Sequence, residues 1–255
     1  MKKFCILLFS LCLIGCFNEK KLLKNGLTKK ATQITEYTIK TKKKYSSSDI
    51  SDTLLVNIKK YNQNDQIVSA QKRYLFSEDT MKSEFHYNKN QKIEKEIVKY
   101  LNDNSSFTVH YFYKDTLLIG TESKHKNDER AFEYIGTYIY DINDKLKEST
   151  LTQLYIDMET NDTIKNTLEV KKYNAKQLVT TSTISDFVTP EKSQHFSYTY
   201  VHKTLVKVKK YDTKDSLIST IENEYEFDRY DNWITRKTSI NGKLDHTLTR
   251  VISYK

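Results

Sequence analysis

Six histidines are the residues of this chain best suited to acid–base or metal chemistry: His86, His110, His125, His195, His202 and His246. None forms a His-Glu-x-x-His pair, and no Gly-x-Ser-x-Gly, P-loop or glycine-rich nucleotide fingerprint occurs. In extended strands His195 and His202 fall on opposite faces, because an odd separation of seven flips the side chain. His110 alternates with aromatics and reads as a solvated strand residue. The 33 Asp and Glu residues are plentiful, but without a cleft no pair stands out as acid and base. Asp141-Ile142-Asn143-Asp144 hints at calcium ligands, yet lacks the Gly and distal Glu of an EF-hand loop and reads as a turn. Cys5 and Cys12 lie in an apolar leader, which leaves Cys16 as the one thiol of a mature chain. That excludes an internal disulfide, and with it a Cys-based zinc site. The residues therefore point to a non-enzymatic protein with no catalytic residue, no metal site and no cofactor.

Cys16 has another chemistry. Lys2 and Lys3 precede the apolar run from Phe4 to Gly15, which is 12 residues long (15 − 4 + 1). A membrane-spanning helix needs about 20. A positive start, a short apolar middle and a small residue before the cut are the parts of a secretory signal. The tetrad Leu13-Ile14-Gly15-Cys16 resembles the lipobox of bacterial lipoproteins. The resemblance implies that residues 1–15 are removed and that Cys16 takes a diacylglycerol. Each buried methylene adds about 0.8 kcal/mol of membrane residence, and two or more chains anchor stably. Phe17 stands where that pathway places Asp for inner-membrane retention, so the same resemblance implies a cell-envelope location, at the outer membrane. Residues 16–33 are polar, lysine-rich and unpatterned, a lipidated flexible tether. A β-repeat domain is expected over 34–255.

Composition supports a folded domain of envelope type. The 19 Tyr, 11 Phe and 1 Trp are far more than disordered chains carry, although 29% of residues are charged. Net charge is +9, and +7 once Lys2 and Lys3 leave. Behind a secretion signal, this charge points to a membrane reached through the lipid anchor, and to an envelope protein, polysaccharide or lipid as partner. Nucleic acid is not expected. The basic run Lys40 to Lys44 reads as a solvated strand face.

One unit recurs: an aromatic, a short polar turn, then an aliphatic residue or Trp six positions after the aromatic. Tyr61 leads to Ile67, Tyr87 to Ile93, Tyr113 to Ile119 and Tyr140 to Leu146. Tyr173 leads to Val179, Tyr200 to Val206, Tyr211 to Leu217 and Phe227 to Trp233. The first four aromatics are 26, 26 and 27 residues apart, and later spacing is irregular. Asn and Asp tolerate the positive φ of tight turns, so few glycines are needed. Asn241-Gly242 is the strongest single turn signal. Between turns, hydrophobicity alternates with period two. Phe107, Val109, Tyr111 and Tyr113 share one face against Thr108 and His110. Phe132, Tyr134, Tyr138 and Tyr140 share another, as do Phe196, Tyr198 and Tyr200, and Leu217, Ile221, Tyr225 and Phe227. This predicts about 14–16 antiparallel strands, with Gln91 to Leu101 read as strand rather than helix. The expected fold class is all-β, an antiparallel meander of repeated hairpins forming a curled sheet, half-barrel or sandwich. A membrane-spanning barrel would need apolar residues facing lipid along every strand, and several strands carry charge on both faces.

The stretch Glu224 to Trp233, with Tyr230-Asp231-Asn232-Trp233 at its end, is similar to the Tyr-Asp-x-x-Gly-Asn-Trp hairpin of bacterial YD-repeat (RHS-like) sequences. It also resembles repetitive envelope lipoproteins of unknown function. Tyr140-Asp141 and Tyr211-Asp212 echo it, and Asp231 stands where the pattern has Gly. The resemblance implies β-hairpin repeats. Separately, Asp-Thr or Asp-Ser before an aliphatic or Met residue places Thr53, Thr80, Thr116, Thr163 and Ser216 in triplets that resemble an acceptor of bacterial periplasmic O-glycosylation. The simpler reading of each triplet is a turn leading into a strand. Two functions follow for such a domain: binding or scaffolding through a tyrosine-rich β surface, or carriage of an apolar ligand, lipid or lipoprotein, in a curled-sheet cavity.

Overall fold

The computed structural model describes residues 27, 31–40, 53–75, 77, 79–126, 131–157, 160 and 162–254. Sixteen strands follow one another in these residues. The first eight are β1 (Ala31–Lys40), β2 (Thr53–Tyr61), β3 (Ile67–Tyr74), β4 (Thr80–Tyr87), β5 (Ile93–Tyr100), β6 (Ser106–Lys114), β7 (Leu117–Lys126) and β8 (Ala131–Tyr140). Then come β9 (Leu146–Ile156), β10 (Thr163–Tyr173), β11 (Val179–Asp186), β12 (Gln194–Val201), β13 (Thr204–Tyr211), β14 (Leu217–Phe227), β15 (Trp233–Ile240) and β16 (Lys243–Tyr254). Each pairs antiparallel with its neighbour in sequence, and β1 pairs with β16 from Ala31–Tyr254 to Lys40–His246. The meander is as expected, but the sheet closes into a barrel. It is not a curled sheet, half-barrel or sandwich. Closure follows from strand number and twist, and it leaves no unpaired edge. The strand β1 begins at Ala31, three residues before the expected domain boundary.

All eight aromatic-led units are hairpins, and each carries a bulge beside its aromatic. Lys60 pairs with Ser69 and Tyr61 with Ile67, so Val68 is the extra residue. Six turns share one mechanism. The Asn or Asp after the aromatic turns its side-chain oxygen back onto two backbone N–H groups, two and four residues on. Asn88 accepts from Asn90 at 2.9 Å and Lys92 at 3.1 Å; Asp141 accepts from Asn143 and Lys145 at 2.8 and 2.9 Å. The third residue after that Asn or Asp takes a left-handed conformation: Asp65, Gln91, Asp144, Gln177, Asp215 and Asp231, at φ from 57° to 64°. Asp231 thus fills the position where the YD pattern has Gly. Two units differ from the six-residue spacing. Tyr113 pairs with Leu118 rather than Ile119, and Tyr200 with Leu205 rather than Val206, because two-residue turns at Asp115 and His202 replace the longer loop. Asn241 and Gly242 both have positive φ, 51° and 75°, as a two-residue hairpin of primed type requires.

The repeat is more regular in space than in sequence. Every even-numbered strand has an aromatic as its last or next-to-last residue at the same mouth of the barrel: Tyr61, Tyr87, Tyr113, Tyr140, Tyr173, Tyr200, Phe227 and Tyr254. They follow at 26, 26, 27, 33, 27, 27 and 27 residues. Tyr211 obscured the period because its turn, between β13 and β14, lies at the opposite mouth. Pairing of Ala31 with Tyr254 puts the start of β1 and the end of β16 at the aromatic mouth.

The two faces of the wall have opposite chemistry. On β6, Phe107, Val109 and Tyr111 are buried while His110 and Phe112 are exposed. The buried face is the concave one: Tyr100 of β5 stacks on His125 of β7, two strands away, at 5.5 Å between ring centroids. Cross-strand register carries this face around the barrel. The tyrosines of the even-numbered strands lie on it, whereas Tyr37 and Tyr211 point outward. Leu217 also points outward, against expectation, because the bulge beside Tyr211 flips it away from Ile221. Lys and Glu ladders line the convex face: Lys82 and Lys99 lie 3.4 and 3.7 Å from Glu84, Lys124 lies 3.3 Å from Glu133, and Lys207 lies 2.7 Å from Glu222. Such exposed pairs add little stability.

Bulges leave inner carbonyls outside the ladder, and tyrosines satisfy them. Tyr87 donates to the Ile67 carbonyl at 2.7 Å, Tyr140 to Leu118 at 2.9 Å and Tyr225 to Leu205 at 2.9 Å. Asn88→Ala is expected to destabilise the barrel by about 1 kcal/mol through the lost turn acceptor. Gln91→Gly should stabilise it by about 1 kcal/mol by relieving the left-handed strain. Equilibrium urea unfolding of the two variants checks both signs.

Candidate functional site

The histidines do not converge. His110 is exposed on the convex face. His125 is inside, stacked at 5.5 Å on Tyr100 and 5.3 Å on Phe107, where burial holds its pKa below the usual value against the pull of Asp103. His195 is outside, stacked 4.5 Å from Tyr211, and His202 sits in a turn at φ 55°. Among the described residues no group of three His, Cys, Asp or Glu is placed to hold a metal ion. Asp141 to Asp144 is a turn, as expected. Cys16 lies outside the described residues. Thr53, Thr80 and Thr163 begin β2, β4 and β10, and Ser216 lies just before β14, all at the mouth opposite the aromatic one. Thr116 lies in the turn at the aromatic mouth. Thr116, Thr163 and Ser216 are exposed, and Thr53 and Thr80 half-buried.

The strands bring together the inner wall. From β4 to β9 it is apolar and aromatic: Ile93, Val98, Val109, Leu118 and Leu146 are each at most 5% exposed and pack with Phe107, Tyr111 and Tyr138. Burial, with Tyr198, Tyr173 and Tyr225 nearby, pushes the Tyr200 phenol up to about 12. Glu96 sits in the apolar half with its pKa raised; burial does this, opposed by hydrogen bonds from Ser83 and Tyr111. The tyrosine-rich surface read from the sequence is therefore the inside of the barrel.

The wall formed by β14, β15, β16, β1 and β2 is polar. Its centre is the seam, where Glu36 and Arg250 are cross-strand partners. The Arg250 Nε donates to Glu36 Oε1 at 2.8 Å, the Asn57 amide donates to Glu36 Oε2 at 2.9 Å, and Lys59 Nζ lies 3.8 Å away. Burial would raise the Glu36 pKa, but Lys59, Arg250 and Asn57 together hold it below the usual value. The Arg250 guanidinium lies 3.3 Å from the centroid of the Trp233 ring, and Arg236 lies 5.8 Å from it. Tyr225 meets Trp233 edge-on at 5.8 Å. Beside this wall, Asn232 is fully buried and donates to Tyr254, whose hydroxyl donates to Asp228. Leu27 packs at the same mouth with Ala31, Ile34, Tyr61 and Ile252.

Sequence reasoning singled out none of Glu36, Asn57, Arg236 or Arg250. Glu36 and Arg250 are 214 residues apart, so no spacing links them. The available signal was local: Arg250 interrupts the apolar side Leu248–Ile252 of its strand, and a cation at an inward position needs a partner.

Glu36→Ala leaves Arg250 and Lys59 without their carboxylate, and is expected to cost about 3–5 kcal/mol. The double variant with Arg250→Met should recover part of that loss. The pH dependence has a definite sign. A carboxyl with a lowered folded pKa stabilises above its unfolded value of about 4.3, and that stability is lost as pH falls through the folded value. Urea midpoints measured across the acid range should fall for the native protein and stay flatter for Glu36→Gln.

No family model matches the chain, and no curated protein matches it significantly. Solved structures do. The chain is similar to a porin-like protein from Bacteroides vulgatus, with TM-score 0.55 and 11% identity over 89% of this chain and 99% of that one. It is also similar to a porin-like protein from Bacteroides uniformis, with TM-score 0.53 and 9% identity over 88% and 96% of the two chains. At this identity the likeness is one of fold: the chain is a closed β-barrel protein of the shape those two share.

Proposed function

We propose that the protein is a non-enzymatic, lipid-anchored barrel of the bacterial envelope that binds an apolar or amphipathic ligand against its inner wall. The observation that carries this reading is the partition of the two faces. Most aromatic side chains of the strands point inward, the exposed lysine–glutamate pairs stand outward, and the inward charges are buried in pairs or hydrogen bonds, as in Glu36–Arg250 and Lys171–Glu169. Of the two functions legible in the sequence, this favours carriage inside the barrel over scaffolding through an outer tyrosine surface. Anchoring rests on the lipobox resemblance at Cys16.

A membrane-spanning barrel is favoured by three features: the even strand number, the meander, and tight turns at the mouth where β1 begins and β16 ends. The convex face opposes it. Lys82, Lys99, Lys124, Lys207 and Lys237 lie on that face in ion pairs, and a lipid-facing Lys costs about 2–4 kcal/mol at the bilayer midplane. Glu84, Glu222 and Glu226 stand on the same face. Outward apolar residues such as Ile39, Phe112, Ile119, Ile139, Ile164 and Val251 are interspersed with these charges and form no continuous apolar band.

Labelled palmitate supplied to cells of the native host should enter the wild-type chain and not Cys16→Ser. Native mass spectrometry of the wild-type protein should then show a non-covalent apolar adduct beyond the anchor mass. Equal label in both variants removes the anchor from the account. A spectrum of polypeptide and anchor alone, from protein extracted without delipidating detergent, removes the cargo.

A further inference from the structure

The polar wall holds more cation than its own groups neutralise. Lys59 and Arg250 share one carboxylate, Glu36, while Arg236 stands near Arg250 and has no ion pair among the described residues. Arg236 bonds the Tyr225 phenol, a neutral partner, and its Nε is shut off from water with no hydrogen-bond partner. A second orphan stands on the same wall. Asn57 is 8% exposed, its amide nitrogen is engaged by Glu36, and its Oδ1 has no partner. Buried polar groups in a folded protein are paired, and a bare guanidinium nitrogen beside a second guanidinium asks for an anion. Arg236 and Asn57 both face inward, Arg236 opposite Tyr225 and Asn57 opposite Glu36. The strand diametrically across from the seam strand β16 is β8, eight strands away by either route, in the centre of the apolar wall.

We infer that Arg236, Trp233 and Asn57 form a head-group subsite for an anionic amphiphile, with the acyl tail lying along the partly buried aromatic side chains over the packed core of β4 to β9, among them Phe85, Tyr87 and Tyr100. The guanidinium Nε donates to a carboxylate or phosphate oxygen. The Trp233 and Tyr225 rings flank the first methylenes. Asn57 Oδ1 accepts from a hydroxyl next to the head. The proposal rests on the lumen-binding reading above and adds the sign and position of the charge.

Trp233 is the only tryptophan in the chain, so its emission reports on this subsite directly. The test uses the mature chain carrying Cys16→Ser, titrated separately with oleate, oleyl alcohol and lysophosphatidate. Oleate should shift the emission and bind at least ~10-fold more tightly than the alcohol, as expected for one charge-assisted hydrogen bond. Arg236→Gln should reduce oleate to the level of the alcohol, and Arg236→Lys should restore part of the difference. Circular dichroism of both variants confirms that the barrel is retained. Lysophosphatidate binding above oleate, with the margin lost in Asn57→Ala, assigns a phosphate head with an adjacent hydroxyl; the reverse order assigns a carboxylate. Equal binding of acid and alcohol by the wild type, or an unchanged acid preference in Arg236→Gln, overturns the subsite. Binding of none of the three probes overturns the lumen reading itself.

Discussion

Hydrogen bonding between β1 and β16 is the constraint on which the rest depends. An open sheet has two comparable faces. Once the first and last strands pair, one face of every strand becomes an inside and the other an outside, and period-two alternation sorts residues between them for the whole circumference. The seam also carries a buried ion pair on the inner wall. Glu36 and Arg250 join the two strands through side chains as well as backbone, and Asn57 and Trp233 hold the pair from either side. A buried ion pair of this kind adds little net stability against a hydrophobic alternative, yet it penalises any register that separates its members. Its placement on the pair of strands most distant in sequence suits a role in fixing register.

The hairpin repeat solves a second problem. Each hairpin turn at the aromatic mouth, Asx-capped or two-residue, carries a bulge beside its aromatic, and a bulge frees an inner carbonyl. The tyrosine hydroxyls of neighbouring strands fill that need while their rings fill the interior. One residue type therefore serves both ladder and core. The ring of aromatics at one mouth is a consequence of the repeat.

Much of this was legible in the sequence. Alternation around Phe107 to Tyr113 located strand and face, Asn241-Gly242 located its turn, and the aromatic-led units located eight hairpins. Closure was not legible, because it is a contact between the two ends of the domain and no local pattern encodes it. The period was masked by Tyr211, which repeats the motif at the wrong end of a strand. The two short turns at Asp115 and His202 shifted the pairing of Tyr113 and Tyr200 by one residue. The polar wall was invisible for the same reason as closure: its members sit on β1, β2, β15 and β16, and only the barrel gathers them.

The central claim is that the convex face of the barrel meets water and the aromatic face does not. The most direct measurement is the behaviour of the mature chain with Cys16→Ser in buffer free of detergent. Analytical ultracentrifugation with circular dichroism should show a soluble, β-rich monomer, and liposomes added afterwards should float without it. A chain that stays aggregated until detergent or bilayer is supplied, and then acquires its β signal within the membrane, would contradict the account.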